Sequence, residues 1–301
     1  AIRREEPRVR KDLVSWCCEQ ALRQGCPLPG GFSASEHALI PGLIQPTWLS
    51  EASLQNLESL GLKESAIQRI LELLLTGVVR PPENRPSAGP ITAAIELLRP
   101  RQPSTPEQLA ELAARLYEQH ERFVKLRPQL WLSRLQELAG TMLQEMPERL
   151  ERLLQGYVES HWIVIDCLGL PLLDTMRQML PGCLPAWKLQ KVEFGLVSEQ
   201  SSTEAFYLGL IGRDFKKAFE KINAIDALIH GRTLAFPELQ KLSCTELEIA
   251  FRKLRDKIDP SVPLIVFGDH GFRLALDGGG FTHGGPSTLE RIVPLFVLTP
   301  G

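Results

Sequence analysis

The stretch 264–298 constrains the fold more than any other part of the chain; it reads LIVFGDHGFRLALDGGGFTHGGPSTLERIVPLFVL. Two apolar runs of strand length flank the glycine-rich segments Gly268-Asp269-His270-Gly271 and Thr282-His283-Gly284-Gly285. Because glycine lets the backbone bend tightly, we interpret these segments as turns at the ends of buried strands. A carboxylate and two imidazoles in such positions are typical of a buried metal site on an α/β sheet. The stretch therefore predicts an α/β fold that carries metal ligands.

The chain divides into two parts near residue 160. The first part has helical periodicity, interrupted at 80–106 by prolines that exclude one continuous helix because they remove backbone donors. We predict helices over 10–23, 50–60 and 65–75, with Ser50 as a cap, and a long helix opened by Thr105 and Pro106. The expected domains are a helical region at 1–104, long helices at 105–160 and an α/β domain at 161–301.

The second part alternates between apolar, strand-like runs and amphipathic helices. We predict strands over 161–166, 192–197, 263–267 and 292–298, and helices over 170–180 and 236–257. This alternation implies a mostly parallel sheet with helices on both faces. Functional residues gather at the carboxyl ends of the strands in such sheets. Asp166 and Asp269 occupy those positions.

Several potential metal ligands follow one another along this part of the chain. They are Asp166, the hydroxyl run Ser201-Ser202-Thr203, the D-x-x-x-H pair of Asp226 and His230, the adjacent Asp269 and His270, and His283. Each has a plainer interpretation when taken singly: Asp166 as a helix N-cap, the D-x-x-x-H pair as a surface ion pair, and the hydroxyls as a loop or cap. Together they offer enough imidazole and carboxylate groups for two metal ions.

This order of motifs resembles the alkaline phosphatase superfamily. The segments FGDHGFR and THGGPSTLERIVPLFVL are most similar to the PglZ domain, and the resemblance covers about half of the chain, residues 160–300. It implies an alkaline phosphatase-like fold at 161–301, preceded by a helical region. It also implies hydrolysis of a phosphate ester, a diester rather than a monoester, with two divalent metal ions. Zinc is the expected metal, and manganese is an alternative because imidazole and carboxylate bind both.

The resemblance also assigns roles to residues. One metal site would be formed by Asp166, Asp269 and His270 together with the nucleophile, and the other by Asp226, His230 and His283. The nucleophile would be Ser202, counted ten residues back from Gly212, with Thr203 and Ser201 as alternatives. Cys167 follows Asp166 and is not interpreted as a catalytic cysteine.

One segment departs from the family pattern. PglZ domains tend to carry a proline and a threonine-rich run before the nucleophile, whereas this chain has Ser198-Glu199-Gln200-Ser201. This difference supports an alternative function, a catalytically weak or inactive interaction module of PglZ fold.

Composition bears mainly on partners and location. The net charge of −2 gives no overall attraction to nucleic acid or membrane, so nucleic acid binding through a local site stays an open alternative. No apolar run approaches the roughly 20 residues that span a bilayer. Six cysteines do not suggest a disulfide scaffold, and the first residues lack a secretory signal and an initiator Met. We therefore expect a cytoplasmic fragment of a longer protein.

The expected partners follow from the proposed chemistry and from the resemblance. The first is a phosphate-ester or nucleotide substrate. PglZ domains are associated with multi-protein phage-defence systems of the BREX type and with response regulators, which implies protein partners of a defence or signalling system.

Overall fold

The structure is a computed structural model that describes residues 7–75, 78–79, 103–118, 143, 145–197, 219–275 and 280–301. The described residues up to Val79 belong to one compact unit and those from Pro103 onwards to a second. The expected nucleophile Ser202 and its alternatives Thr203 and Ser201 lie outside the described residues.

The first unit is helical where it is described. Its α-helices are α1 (Pro7–Gln24), α2 (Ala34–Leu43), α3 (Glu51–Gln55) and α4 (Glu64–Leu75), with 3-10 turns at Pro46–Trp48 and Leu57–Leu60. The predicted cap is confirmed, because the Ser50 hydroxyl accepts the Ser53 N–H at 3.1 Å. The predicted helix over 50–60 is instead the short α3 followed by a 3-10 turn that ends at Gly61, which has a positive φ of 71°. None of the described helices of the chain is long and apolar enough to cross a bilayer.

The second unit is mixed α/β. Its α-helices are α5 (Pro106–Glu118), α6 (Leu150–Gln155), α7 (Leu173–Cys183), α8 (Ala224–Gly231), α9 (Phe236–Arg255) and α10 (Thr288–Arg291). Its strands are β1 (His161–Ile165), β2 (Trp187–Leu196), β3 (Glu220–Ile222), β4 (Leu264–Gly268), β5 (Arg273–Leu274), β6 (Phe281–Thr282) and β7 (Ile292–Pro300). The expected start of α5 is confirmed, since the Gln108 N–H donates to the Thr105 hydroxyl at 3.3 Å.

The main sheet has five described strands in the order β2-β7-β4-β1-β3. β1 pairs in parallel with both β3 and β4, whereas β7 runs antiparallel to its neighbours β4 and β2. The sheet is therefore mixed, and the expectation of a mostly parallel sheet is corrected at β7. The reason is the connection from β4 to β7, whose described residues form the β5–β6 hairpin and the short α10 instead of the crossover helix that joins parallel strands.

Both faces of the central strands are buried. On one face, Trp162 and Val164 of β1 pack with Ile265 and Phe267 of β4 against α6. Side chains alternate along a strand, so Ile163 points to the opposite face, where it is also fully buried. This double burial explains why β1 and β4 are continuous apolar runs in the sequence.

The register of β1 and β4 determines where the polar residues meet. Ile165, the last residue of β1, lies opposite Gly268, the last residue of β4. The residues that follow, Asp166 and Asp269, therefore emerge side by side at the same edge of the sheet, as the sequence predicts for parallel strands.

Candidate metal centre

Two glycines allow the ends of β1 and β4 to pack closely. A Cβ atom on Gly268 would lie 2.3 Å from the Leu168 carbonyl oxygen, and one on Gly271 would lie 2.5 Å from the Leu289 carbonyl oxygen. Neither glycine has a positive φ. They are thus needed for close approach of backbones rather than for the tight bends expected from the sequence. Gly284, which follows His283, does have a positive φ of 92°.

The first cluster consists of Asp166, Asp269 and His270, which are all buried. His270 Nε2 lies 3.2 Å from Asp166 Oδ1 and 3.9 Å from Asp269 Oδ1. Asp269 Oδ1 also accepts the backbone N–H groups of His270 at 3.0 Å and of Cys167 at 3.3 Å. Asp166 is not the N-cap of the following 3-10 turn, whose N-cap is Gly169. The three carboxylate and imidazole residues predicted for this first metal site therefore lie together.

The second cluster consists of Asp226, His230 and His283. Asp226 and His230 lie four residues apart on α8, so they share a helix face, as the D-x-x-x-H spacing predicts. Asp226 Oδ1 lies 3.2 Å from His230 Nε2 and 3.1 Å from His283 Nε2, and the two Nε2 atoms are 2.7 Å apart. The side chain of His230 is 64% exposed, whereas that of His283 is 18% exposed, so solvent reaches this cluster from the His230 side.

The two clusters adjoin each other. The rings of His270 and His283 stack with centroids 4.6 Å apart and an interplanar angle of 25°. The buried thiol of Cys167 lies 3.5 Å from Asp226 Oδ1 and 3.6 Å from His270 Nδ1. The six predicted carboxylate and imidazole ligands are therefore part of one polar cluster at the edge of the sheet.

The charges of this cluster perturb its titration. Burial alone would favour neutral Asp166, but hydrogen bonds from His270 and Lys221 lower the pKa of its carboxyl group to about 2. Burial opposes protonation of His270, yet its hydrogen bond to Asp166 and the charge of Asp269 raise its pKa. Burial and the neighbouring His270 lower the pKa of His283. This shift favours neutral His283, which is the form in which imidazole binds metals.

Lys221 is a site residue that the sequence reasoning missed. Its ammonium group lies 2.8 Å from Asp166 Oδ2, on the opposite side of that carboxylate from His270. It belongs to β3, a strand of three residues next to β1. The available signal was weak: a lysine between Phe219 and Ile222, a few residues before the D-x-x-x-H pair.

Glu290 is a second missed residue, and it holds the loop that carries His283. Its fully buried carboxylate accepts the Gly285 N–H at 2.8 Å, the Arg273 Nε–H at 3.0 Å and the Ser287 hydroxyl at 2.5 Å. Gly285 is two residues from His283, so these bonds restrain the position of that imidazole. No motif marked Glu290, because a glutamate within an apolar stretch has many other roles.

The donor groups fit a divalent cation. Ligand atoms about 2.0–2.1 Å from a tetrahedral zinc ion lie about 3.3 Å from one another. The separations of Asp226 Oδ1 from His230 Nε2 and from His283 Nε2, 3.2 and 3.1 Å, are close to this value, whereas the 2.7 Å between the two Nε2 atoms is shorter. The ligand atoms of each cluster lie within 4.8 Å of one another. Among the described residues of the centre, the three carboxylates of Asp166, Asp226 and Asp269 are accompanied by one lysine ammonium, so a cation is electrostatically favoured. These clusters could therefore hold a metal ion.

Comparison with known proteins adds no assignment. No protein-family model matches this chain, and no curated protein sequence matches it. The interpretation of the centre therefore depends on its own geometry and chemistry.

Proposed function

We propose that this protein is a metal-dependent phosphohydrolase of the alkaline phosphatase type, related to PglZ domains, and that it acts on phosphodiesters. The observation that carries the proposal is that the cluster of Asp166, Asp269 and His270, at the carboxyl ends of β1 and β4, adjoins the cluster of Asp226, His230 and His283. Their carboxylate and imidazole members are those that the family resemblance assigns to two metal sites. The preference for diesters comes from the resemblance in sequence.

The residues of the centre would divide the work. Asp166, Asp269 and His270 would hold one ion, and Asp226, His230 and His283 would hold the other, with zinc or manganese as the ion because imidazole and carboxylate bind both. Bound divalent ions would supply Lewis-acid stabilisation of the phosphoryl oxygens. The exposed edge of His230 gives a substrate access from solvent.

The covalent step is assigned to Ser202, with Thr203 as the alternative. The hydroxyl oxygen would form a bond to phosphorus while the bond from phosphorus to the leaving oxygen breaks, and the hydroxyl proton would end on the released alcohol. Water would then attack phosphorus and break its bond to the serine oxygen, releasing a phosphate monoester, and a proton from this water would restore the serine hydroxyl.

Hydrolysis of model esters tests this function. The metal-depleted protein should be inactive, and zinc or manganese should restore cleavage of bis(p-nitrophenyl) phosphate more than that of p-nitrophenyl phosphate. Asp269→Asn, His283→Gln and Ser202→Ala should each abolish that cleavage. Asp256→Asn, a change at an exposed carboxylate after α9, should leave it unchanged. A wild-type protein that binds metal and cleaves neither ester would contradict the proposal.

One observation favours a second candidate, a PglZ-like interaction module without turnover. The Lys221 ammonium already neutralises Asp166 at 2.8 Å, in a place where a catalytic centre would use a metal cation. A module of this kind would retain metal binding at Asp226, His230 and His283 and would recruit protein partners of a defence or signalling assembly. Metal titration separates the two candidates: a stoichiometry of one ion with no ester cleavage favours the module.

We also propose that the protein works in a reducing compartment such as the cytoplasm. All six cysteines are unpaired, including the adjacent Cys17 and Cys18. Reduced cysteines are the rule in the cytosol and the exception in secreted proteins. Counting thiols before and after reduction tests this, and a lower count before reduction would contradict it.

A further inference from the structure

Cys167 has a backbone conformation that its residue type does not explain. Its φ is 65°, and it is the only non-glycine residue with a positive φ among the described parts of the chain. That conformation is unfavourable for residues other than glycine, with Asn and Asp the usual exceptions. Strained residues of this kind cluster at functional sites. A glycine would adopt this turn with less strain, so the thiol itself requires an explanation.

The turn places the thiol among the metal ligands. Cys167 Sγ lies 3.5 Å from Asp226 Oδ1 and 3.6 Å from His270 Nδ1, and the residue is fully buried. Its sulfur also lies within 4.8 Å of a ligand nitrogen of His283 and of a carboxylate oxygen of Asp166. Cys167 therefore adjoins both clusters of the centre.

The separations suit a sulfur ligand. Zinc–sulfur and zinc–nitrogen bonds of about 2.3 and 2.0–2.1 Å place tetrahedral ligand atoms about 3.6 Å apart. The 3.5 Å between Cys167 Sγ and Asp226 Oδ1 matches this value. Because His270 Nδ1 lies 3.1 Å from the Gly271 carbonyl oxygen, it is best interpreted as that oxygen's donor. Asp226 and His283, 3.1 Å apart, are then the partners that would share an ion with the sulfur.

We propose that Cys167 supplies a sulfur ligand to a metal ion held with Asp226 and His283. The thiol proton leaves to the buffer as the sulfur–metal bond forms, so the ion is bound by thiolate, imidazole and carboxylate. Soft thiolate favours zinc, cobalt or cadmium over manganese or magnesium, which are better suited to oxygen ligands. This inference rests on the proposed metal centre and adds to it a metal preference that the Asp and His ligands alone do not provide.

The competing explanation is that Cys167 is a small buried residue whose thiol donates a weak hydrogen bond to Asp226. Both explanations place the sulfur near the carboxylate. They differ in one observable, the formation of a sulfur–metal bond.

Cobalt(II) titration of the full chain provides the test, because a thiolate ligand gives a charge-transfer absorption band in the near ultraviolet. We expect the band in the wild-type protein and in Cys183→Ser, a control at another buried thiol of the same unit. Cys167→Ser and Cys167→Gly should lose the band and bind cobalt about 10–100-fold more weakly, the range for perturbing the surroundings of a metal site. Cys167→Gly also relieves the backbone strain, so it separates loss of the ligand from loss of folding.

The outcomes are distinguishable. Cobalt bound by the wild-type protein without the band, or a band that persists in Cys167→Gly, would overturn the sulfur ligand and leave the proposed function standing. Failure of the folded wild-type protein to bind cobalt, zinc or manganese would overturn the metal centre itself. A zinc-over-manganese preference that decreases in Cys167→Ser would support the inference independently of the spectrum.

Discussion

Replacing Glu290 should substantially lower the free energy of unfolding of the second unit. In Glu290→Gln the side chain keeps its size but loses its charge and one of its two acceptor oxygens. Hydrogen bonds to charged groups contribute about 1.5–3 kcal/mol and neutral ones about 0.5–1.5 kcal/mol, a difference of roughly 1 kcal/mol for each of the bonds to Gly285, Arg273 and Ser287. We therefore expect the free energy of unfolding to fall by about 3 kcal/mol. Glu290→Ala leaves the Arg273 guanidinium without this partner and should cost about 3–5 kcal/mol.

The same change should also weaken metal binding, because Glu290 restrains the loop that bears His283. Disturbing groups that orient metal ligands typically lowers metal affinity about 10–100-fold, and we expect this for zinc in Glu290→Gln. Urea unfolding followed by hydrogen exchange of β1 and β4 peptides measures the stability of the second unit by itself. Isothermal titration measures zinc affinity.

A matched control is Glu246→Gln on α9, where the glutamate is exposed, so its effect should stay within about 0.5 kcal/mol. If Glu290→Gln were as stable as Glu246→Gln, the carboxylate would not be the anchor of the loop. If Glu290→Gln lost stability and kept its zinc affinity, the anchor would not position His283.

Three further changes test other contacts. Gly268→Ala should lower the free energy of unfolding in urea by at least about 3 kcal/mol, because the added Cβ would lie 2.3 Å from the Leu168 oxygen. The control Gly182→Ala, with open space around its Cβ, should be neutral or stabilising by up to about 1 kcal/mol. Equal effects of the two changes would contradict the close packing at Gly268. In the metal-depleted protein, the pKa of Asp166 is lowered to about 2, so its ionised carboxylate stabilises the fold above about pH 4. This contribution is lost as the pH falls towards 2. The pKa of His270 is raised, so its protonated form stabilises the fold below about pH 6.5, and this contribution is lost as the pH rises through the raised pKa. The difference in the free energy of unfolding between wild type and His270→Gln should therefore be largest between about pH 4 and 6.5. A difference that grows towards pH 9 would refute the pairing of His270 with Asp166. Lys221→Gln removes the ammonium group that neutralises the Asp166 carboxylate, so it should lower the stability of the metal-depleted protein by about 1–3 kcal/mol and raise the zinc affinity measured by calorimetry. Weaker zinc binding would show that the lysine supports the site.

The parts of the site that depend on local periodicity could be read from the sequence. The spacing of Asp226 and His230 places them on one helix face, and the apolar runs before Asp166 and Asp269 identify them as residues at strand ends. These relations hold within one element or between parallel neighbours, so they need no knowledge of the surrounding packing.

Other features depend on which segments become neighbours. The direction of β7 leaves no mark on its composition, because a buried apolar strand reads the same whether its neighbours are parallel or antiparallel. β3 is three residues long and two of them are charged, so its pairing with β1 decides its conformation more than its propensity does. Lys221 could not be placed beside Asp166 without that pairing. The crowding at Gly268 likewise appears only when the Leu168 backbone lies against it.

The position of β7 has a consequence for synthesis of the chain on the ribosome. β7 is inserted between β2 and β4, although both of those strands precede it in the chain. A nascent polypeptide that ends at Leu289 therefore has an apolar β4 with one unpaired edge and a β2 that lacks its β7 partner. Unpaired apolar edges recruit other chains, so such intermediates and truncated products should be prone to aggregation and dependent on chaperones until residue 300 has left the exit tunnel.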